Sequence, residues 1–263
     1  MHLIVVGCSG STSGPGSPAS SYLVQAPYQG RTFSLLLDLG PGSFGHLYRY
    51  LHPSEVDAIG LSHLHPDHCV DVCGFYVAAR YSQPGSPWPG IPLHGPAGTL
   101  ERIRAAYEVA GTVGEPGPGI GDHFDIQTWR AEQQVGPFRV RTALVAHPVE
   151  AYAVRVTEAG PAGGTLVFSG DTGPCQALVD LARGADLLLA EAAFLDGADN
   201  PPGVHLTGRQ AAETAREAEV GELVLTHIPP WHHAADVLAE ARPHFAGPVT
   251  LARPGGSFPV RPR

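Results

Sequence analysis

Residues 57–71 run from a short apolar stretch into a cluster of imidazoles and carboxylates centred on His63, His65, Asp67 and His68. Imidazole nitrogen and carboxylate oxygen suit zinc or a similar divalent cation, and four such groups so close in sequence can hardly all point at one ion. Two ions are the natural reading. Residues two apart on an extended turn face the same side, so His63 and His65 can grip a single cation. Pro66 biases His65 away from helical dihedrals and fits the first position of a helix. Asp67 and His68 then fall in the first helical turn, free to serve a neighbouring ion. A surface turn of solvated histidines is the competing reading, and accidental spacing of this kind is uncommon.

These side chains need a frame, and the chain supplies short apolar runs that end in ligand-type residues. Leu3 to Val6, Ser21 to Ala26 and Thr32 to Leu39 read as strands, with Asp38 near the end of the third. Asp38 is either a buried carboxylate behind the ligands or a turn aspartate. A helix is expected from Ser43 to Leu51 and another from Asp67 toward Tyr81, where Asp71 needs no catalytic role because an acid near a helix N-terminus is favourable anyway. Residues 82–121, rich in Pro and Gly around one expected helix from Ala97 to Ala110, read as an irregular insert that shapes a cleft. Further on, Phe138 to Ala146 ends at His147, Tyr152 to Val156 returns, and Leu166 to Ser169 ends at Asp171. A helix from Cys175 to Ala182 leads to Leu187–Leu189 and Glu191. A helix from Thr207 to Glu219, with Thr207 as its cap, leads to Leu223–Leu225 and His227. Strands alternating with helices, with chemistry at the strand ends, predict a layered α/β architecture with the site along one edge.

The bulk properties narrow the setting. At 263 residues the chain fits one compact domain, 1–263, with no compositional linker. Every basic residue is Arg, and Ala, Gly and Pro are abundant, which reads as codon bias rather than disorder. A formal charge of -9 argues against a broad basic face for nucleic acid. Leu3 to Val6 is too short for a signal-peptide core and no run would span a bilayer, so a soluble, cytoplasmic protein with no membrane partner is expected. Cys8, Cys69, Cys73 and Cys175 form no CxxC pair and are expected to be reduced and mostly buried. The glycine and hydroxyl-rich loop from Gly7 to Gly16 could cradle a phosphate, but lacking a following helix or a Lys it reads more simply as a tight loop.

Taken together, Ser-His-x-His-x-Asp-His, the later His after a strand, Gly-Asp-Thr-Gly and Leu-Thr-His resemble the metallo-β-lactamase superfamily over nearly the whole chain. The resemblance implies an αββα sandwich and a dinuclear site. In it His63, His65 and His147 hold one cation, Asp67, His68 and His227 the other, and Asp171 bridges. The lactam-cleaving enzymes place a thiolate where Asp171 stands, so antibiotic hydrolysis is not implied. Glu191 in Ala-Glu-Ala-Ala-Phe, and His205 in His-Leu-Thr, resemble motifs of ribonuclease Z-like phosphodiesterases, in which the Glu orients a His acting near the leaving oxygen. A carboxylate-held imidazole keeps one tautomer and can release a proton near neutral pH. A plain loop histidine is the alternative for His205.

Ribonuclease Z holds transfer RNA with a long arm, in many members inserted between the positions matching His147 and Asp171. Here only residues 148–170 separate them. The pattern as a whole, including Gly-Cys-Ser-Gly-Ser, Ser-Pro-Ala-Ser, Ala-His-Pro-x-Glu and Leu-Thr-His-Ile-Pro-Pro-Trp, is most similar to the atypical class II cyclic-AMP phosphodiesterases of that branch. It implies hydrolysis of 3′,5′-cyclic AMP to 5′-AMP with two divalent metal ions, zinc first, manganese or iron compatible. A divalent metal that brings the pKa of bound water to about 7 would supply the nucleophile, and Asp67 would accept a hydrogen bond from it. The implied partner is a small nucleotide, and the family suggests a homodimer. Trp231 would stack on a base or serve as a rim or core aromatic, while His232 and His233 are expected to be solvated. A transfer RNA 3′-processing endonuclease and a lactonase or thioesterase-type hydrolase are the alternatives, the latter with no use for Glu191 and His205. A non-catalytic binder fits the full ligand set poorly.

Overall fold

The computed structural model describes residues 1–82, 88–108, 119–160 and 163–263. The first half comprises β1 (His2–Gly7), β2 (Ser21–Tyr28), β3 (Arg31–Leu37), α1 (Ser43–Leu47), β4 (Ala58–Gly60), α2 (Pro66–Cys69), α3 (Val72–Tyr81), β5 (Ile91–Gly95), α4 (Thr99–Tyr107), α5 (Ile120–His123) and β6 (Phe124–Thr128). The second comprises β7 (Glu132–Val135), β8 (Phe138–Leu144), β9 (Tyr152–Glu158), β10 (Thr165–Phe168), α6 (Gln176–Ala182), β11 (Leu187–Glu191), α7 (Gly208–Glu217), β12 (Glu222–Thr226), α8 (Ala234–Ala241), β13 (Val249–Leu251) and β14 (Ser257–Pro259).

Two sheets carry the fold, one in the order β14-β1-β2-β3-β4-β5-β6 and the other β13-β12-β11-β10-β9-β8-β7. In each, one half is antiparallel and the other parallel. The apolar runs seen in the sequence are buried on both faces, as sheets covered by helices require. Leu35 and Leu37 of β3, Leu187 and Leu189 of β11 and Val224 of β12 meet between the sheets. Their alternates split outward: Leu36 packs under α3 and α4, and Leu188, Leu223 and Leu225 under α6, α7 and α8. The result is the expected αββα sandwich. Among the described residues no helix is long and apolar enough to cross a membrane.

Several local expectations change. The helix expected to run unbroken from Asp67 to Tyr81 is split at Val70 and Asp71. Leu39 causes the break, because its N–H takes the His68 carbonyl (2.8 Å) and its carbonyl takes the Asp71 N–H (3.0 Å), groups a continuous helix would have paired internally. Asp71 sits at the start of α3 and accepts the Phe44 N–H (2.9 Å). Residues 82–121 are not all irregular: β5 lies inside its sheet between β4 and β6, and Pro92 within it hid the strand from pattern reading. The helix expected from Ala97 to Ala110 is α4; Val109 and Ala110 lie outside the described residues. The first helix stops at Leu47 rather than Leu51. The four cysteines are free, but only Cys69 is buried and the other three are partly exposed, so mostly buried was too strong.

Candidate active site

The ligand-type residues gather at one edge because the parallel strands all deliver their C-terminal ends there. Asp38 follows β3, His63 to His68 follow β4, Asp171 follows β10, Glu191 closes β11 and His227 follows β12. Asp38 (φ 59°), Gly170 (φ 58°) and His227 (φ 56°) are left-handed, which turns the chain sharply as it leaves β3, β10 and β12. For Asp and His this region is uncommon yet accessible. His65 is extended (φ -66°, ψ 148°) and precedes Pro66 at the first position of α2, as the sequence predicted.

Three donor groups form, of which the third, Glu191, His205 and His227, shares His227 with the second. His63 Nε2 and His147 Nε2 each lie 3.1 Å from His65 Nδ1. Beside them His68 Nε2 and His227 Nε2 lie 3.1 Å apart, with Asp67 Oδ2 at 3.3 and 3.2 Å from them. Asp171 Oδ2 reaches His68 Nε2 (3.2 Å) and His227 Nε2 (3.4 Å) in the second group and His63 Nε2 (3.7 Å) in the first. Four tetrahedral donors about 2.0–2.1 Å from a zinc ion stand roughly 3.3 Å apart, so these spacings suit a shared cation. Buried Asp171 Oδ1 has no hydrogen-bond partner among the described residues, which fits an oxygen reserved for a ligand. Burial alone would raise the Asp171 carboxyl; the imidazoles of His227, His68 and His63 instead hold it well below the usual carboxylate range. The His/Asp set can therefore bind metal.

Partners behind the donors fix their orientation. His68 Nδ1 donates to Asp38 Oδ2 at 2.7 Å, leaving Nε2 for the site. Ser62 Oγ donates to the same oxygen (2.8 Å) and accepts from His63 Nδ1 (3.1 Å). His147 Nδ1 donates to the Val204 carbonyl at 2.9 Å. Such contacts set the tautomer of a ligating imidazole. Asp38 is thus a buried carboxylate behind the ligands as well as the residue at the turn after β3. Sequence reasoning gave Ser62 no role; its one signal was a hydroxyl directly before the first histidine.

Glu191 is fully buried and its oxygens are spent on N–H donors: Thr172 N (2.8 Å) and His205 Nδ1 (2.8 Å) on Oε1, Ala193 N (3.1 Å) on Oε2. His205 is therefore no free loop histidine. Its ring faces those of His227 and His147 at 5.5 and 5.6 Å. Burial works against its charged form, but the Glu191 carboxylate carries its pKa above the ordinary value. All nine predicted site residues, His63, His65, Asp67, His68, His147, Asp171, Glu191, His205 and His227, thus come together. Trp231 is 63 % exposed, which removes the core reading. His233 is exposed as expected, whereas His232 is partly covered.

The sequence profile of the beta-lactamase superfamily domain matches residues 34–228, well over half the chain and every donor named above. The chain belongs to the beta-lactamase superfamily. A protein of uncharacterized function from Mycobacterium leprae is 44% identical over 263 residues, covering 99% of this chain and 89% of its own. The metallo-beta-lactamase fold protein YhfI of Bacillus subtilis superposes with a TM-score of 0.84 at 27% identity, over 98% of both chains. Ribonuclease BN of Enterobacter sp. is 28% identical over 279 residues, covering 87% of this chain and 89% of the ribonuclease. Within the beta-lactamase superfamily these likenesses agree with the ribonuclease Z-like branch and identify the chain as a metallo-hydrolase.

Proposed function

We propose that this metallo-hydrolase is a phosphodiesterase acting on a small phosphodiester, 3′,5′-cyclic AMP first among the candidates. His63, His65 and His147 would hold one divalent cation and Asp67, His68 and His227 a second, with Asp171 shared; zinc suits the donors best and manganese or iron is compatible. Such cations supply Lewis-acid charge at the phosphoryl oxygens and a water acidic enough to ionise near neutral pH.

The observation that carries the reading is the Glu191–His205 pair, 2.8 Å apart beside the second donor group. Attack on phosphorus expels an alkoxide that needs a proton. His205, held by Nδ1 on Glu191, keeps Nε2 for donation to that oxygen. Asp67 accepts a hydrogen bond from the attacking water and so aims it. A thioesterase, whose thiolate departs without a proton, would have no need of this acid, and assay against a lactone distinguishes a lactonase, which also expels an alkoxide.

A small nucleotide rather than RNA is favoured by the charge of -9 and by the short connection between His147 and Asp171, residues 148–170, most of which is spanned by the antiparallel pair β9 and β10. The likeness to ribonuclease BN supports the second reading, cleavage of a transfer RNA precursor. Free cysteines support a reducing, cytoplasmic setting.

Protein reconstituted with zinc or manganese should be assayed against cyclic AMP, bis-p-nitrophenyl phosphate, precursor transfer RNA and a lactone. Hydrolysis of the first two is expected. Cleavage of the precursor RNA alone would establish the second reading, and lactone opening without phosphodiester cleavage would overturn both.

A further inference from the structure

The loop between β1 and β2 lies against the site. Gly10 abuts the His227 backbone so closely that a Cβ there would stand 2.1 Å from the His227 carbonyl oxygen. Gly10 N–H donates to the Ile228 carbonyl (3.2 Å), and Ser13 Oγ donates to the Pro41 carbonyl (2.6 Å). The neighbouring Gly40 is pressed on the Asp67 backbone in turn. The loop is therefore pinned on both flanks of the second donor group.

Between the pins the backbone amides are shared out unequally. Those of Gly10, Thr12 and Gly14 go to the carbonyls of Ile228, Gly10 and Ser17. The Ser11 N–H instead points at His227 Nε2, 3.4 Å away. Ser11 has φ 59°, a conformation non-glycine residues seldom adopt, so the pinned loop turns this one amide toward the site. A neutral imidazole nitrogen offers one lone pair. When His227 Nε2 serves as a metal ligand, the Ser11 N–H loses its acceptor and must find another beside the cation. An anionic oxygen is the acceptor that such a position favours. The chain has no lysine with which to grip a phosphate, so a neutral backbone donor matters more here.

We propose that the Ser11 backbone N–H donates a hydrogen bond to a non-bridging phosphoryl oxygen of the substrate, holding the phosphate against Asp67, His68, Asp171 and His227. This rests on the phosphodiesterase reading above. The bond orients the phosphorus toward the aimed water on one side and His205 on the other. Its acceptor gains negative charge during attack, so the bond strengthens as reaction proceeds.

The test uses zinc-loaded protein labelled with 15N-serine, the Ser11 amide signal being assigned by its loss in Ser11→Gly. Titration with inorganic phosphate should move the Ser11 amide proton downfield, saturating at the concentration that inhibits bis-p-nitrophenyl phosphate cleavage; acetate should move it far less. Gly10→Ala, which displaces the loop from His227, should weaken phosphate inhibition about tenfold, as expected for one hydrogen bond to a charged group, with zinc content unchanged. If that variant does not fold or loses zinc, the titration of the unaltered protein decides. A Ser11 amide that stays still while phosphate inhibits turnover overturns this proposal and leaves the phosphodiesterase reading standing. An equal response to acetate overturns the phosphoryl assignment. A phosphate-specific shift in protein that cleaves no phosphodiester supports the anion grip and overturns the functional reading instead.

Discussion

Asp38 takes the Nδ1–H of His68 at 2.7 Å, and the same carboxylate oxygen takes the Ser62 hydroxyl that accepts from His63. One buried carboxylate thereby sets the tautomer of an imidazole in each of the first two donor groups. Asp38→Ala should weaken metal binding by roughly 10–100-fold, the usual cost of losing an outer partner of a ligand. Competition against a chromophoric chelator would measure it. Ser62→Ala, which cuts only the branch to His63, should cost less.

In the proposed reaction His205 would act on the leaving oxygen, and it lies outside the His63–His65–His147 and Asp67–His68–Asp171–His227 groups. His205→Ala should lower turnover of cyclic AMP by roughly 10²–10⁴-fold, the range of general acid catalysis. Activated esters such as bis-p-nitrophenyl phosphate, whose leaving group needs no proton, should suffer far less. Metal content by atomic absorption should be unchanged; loss of metal would make His205 a ligand instead.

In the proposed reaction the same pair would set a pH limb. Burial lowers the His205 pKa, but Glu191 more than reverses this, so the imidazolium persists above the ordinary histidine range. Rate carried by that acid is full at low pH and is lost as pH rises through the raised pKa. Glu191→Gln removes the raising charge and leaves burial, so the descending limb of the kcat profile should move to lower pH. A limb that stays in place would show that another group titrates there.

Much of this site was legible in sequence because its donors sit at the ends of apolar runs. His63, His65, Asp67 and His68 were readable from spacing, and His147, Asp171 and His227 from their place after strands. What escaped was whatever depends on a distant backbone. Leu39 breaks the α2–α3 helix through two main-chain bonds, and the Val204 carbonyl orients His147 from far along the chain. Neither leaves a residue-type signal. β5 was hidden for a different reason, since Pro92 and its Pro and Gly neighbours mimic a loop.

Metal should also hold the fold together, because the donors come from both sheets. A cation bound only by folded protein at a hundred times its dissociation constant adds about 2.7 kcal/mol. For a chain of this size that is a melting shift on the order of 5–10 °C. Scanning calorimetry with and without a chelator would check it. No shift would mean that the folded chain binds the cation no more tightly than the unfolded chain does.

The last link runs from a helix cap to the acid. Thr207 accepts the Gln210 N–H at 3.2 Å while the Gln210 side chain takes the Thr207 N–H at 3.0 Å, a reciprocal cap on α7. His205 lies two residues before this cap, and Leu206 between them accepts the Phe194 N–H at 3.0 Å. The cap therefore fixes both the start of α7 and the approach of His205 to Glu191. Thr207→Ala should cost about 1 kcal/mol of stability. It should also reduce cyclic AMP turnover, though less than His205→Ala does, because the imidazole remains but is less firmly held. Thr207→Ser keeps the oxygen and should restore both melting temperature and turnover. Recovery of stability without recovery of turnover would separate the cap from the placement of His205.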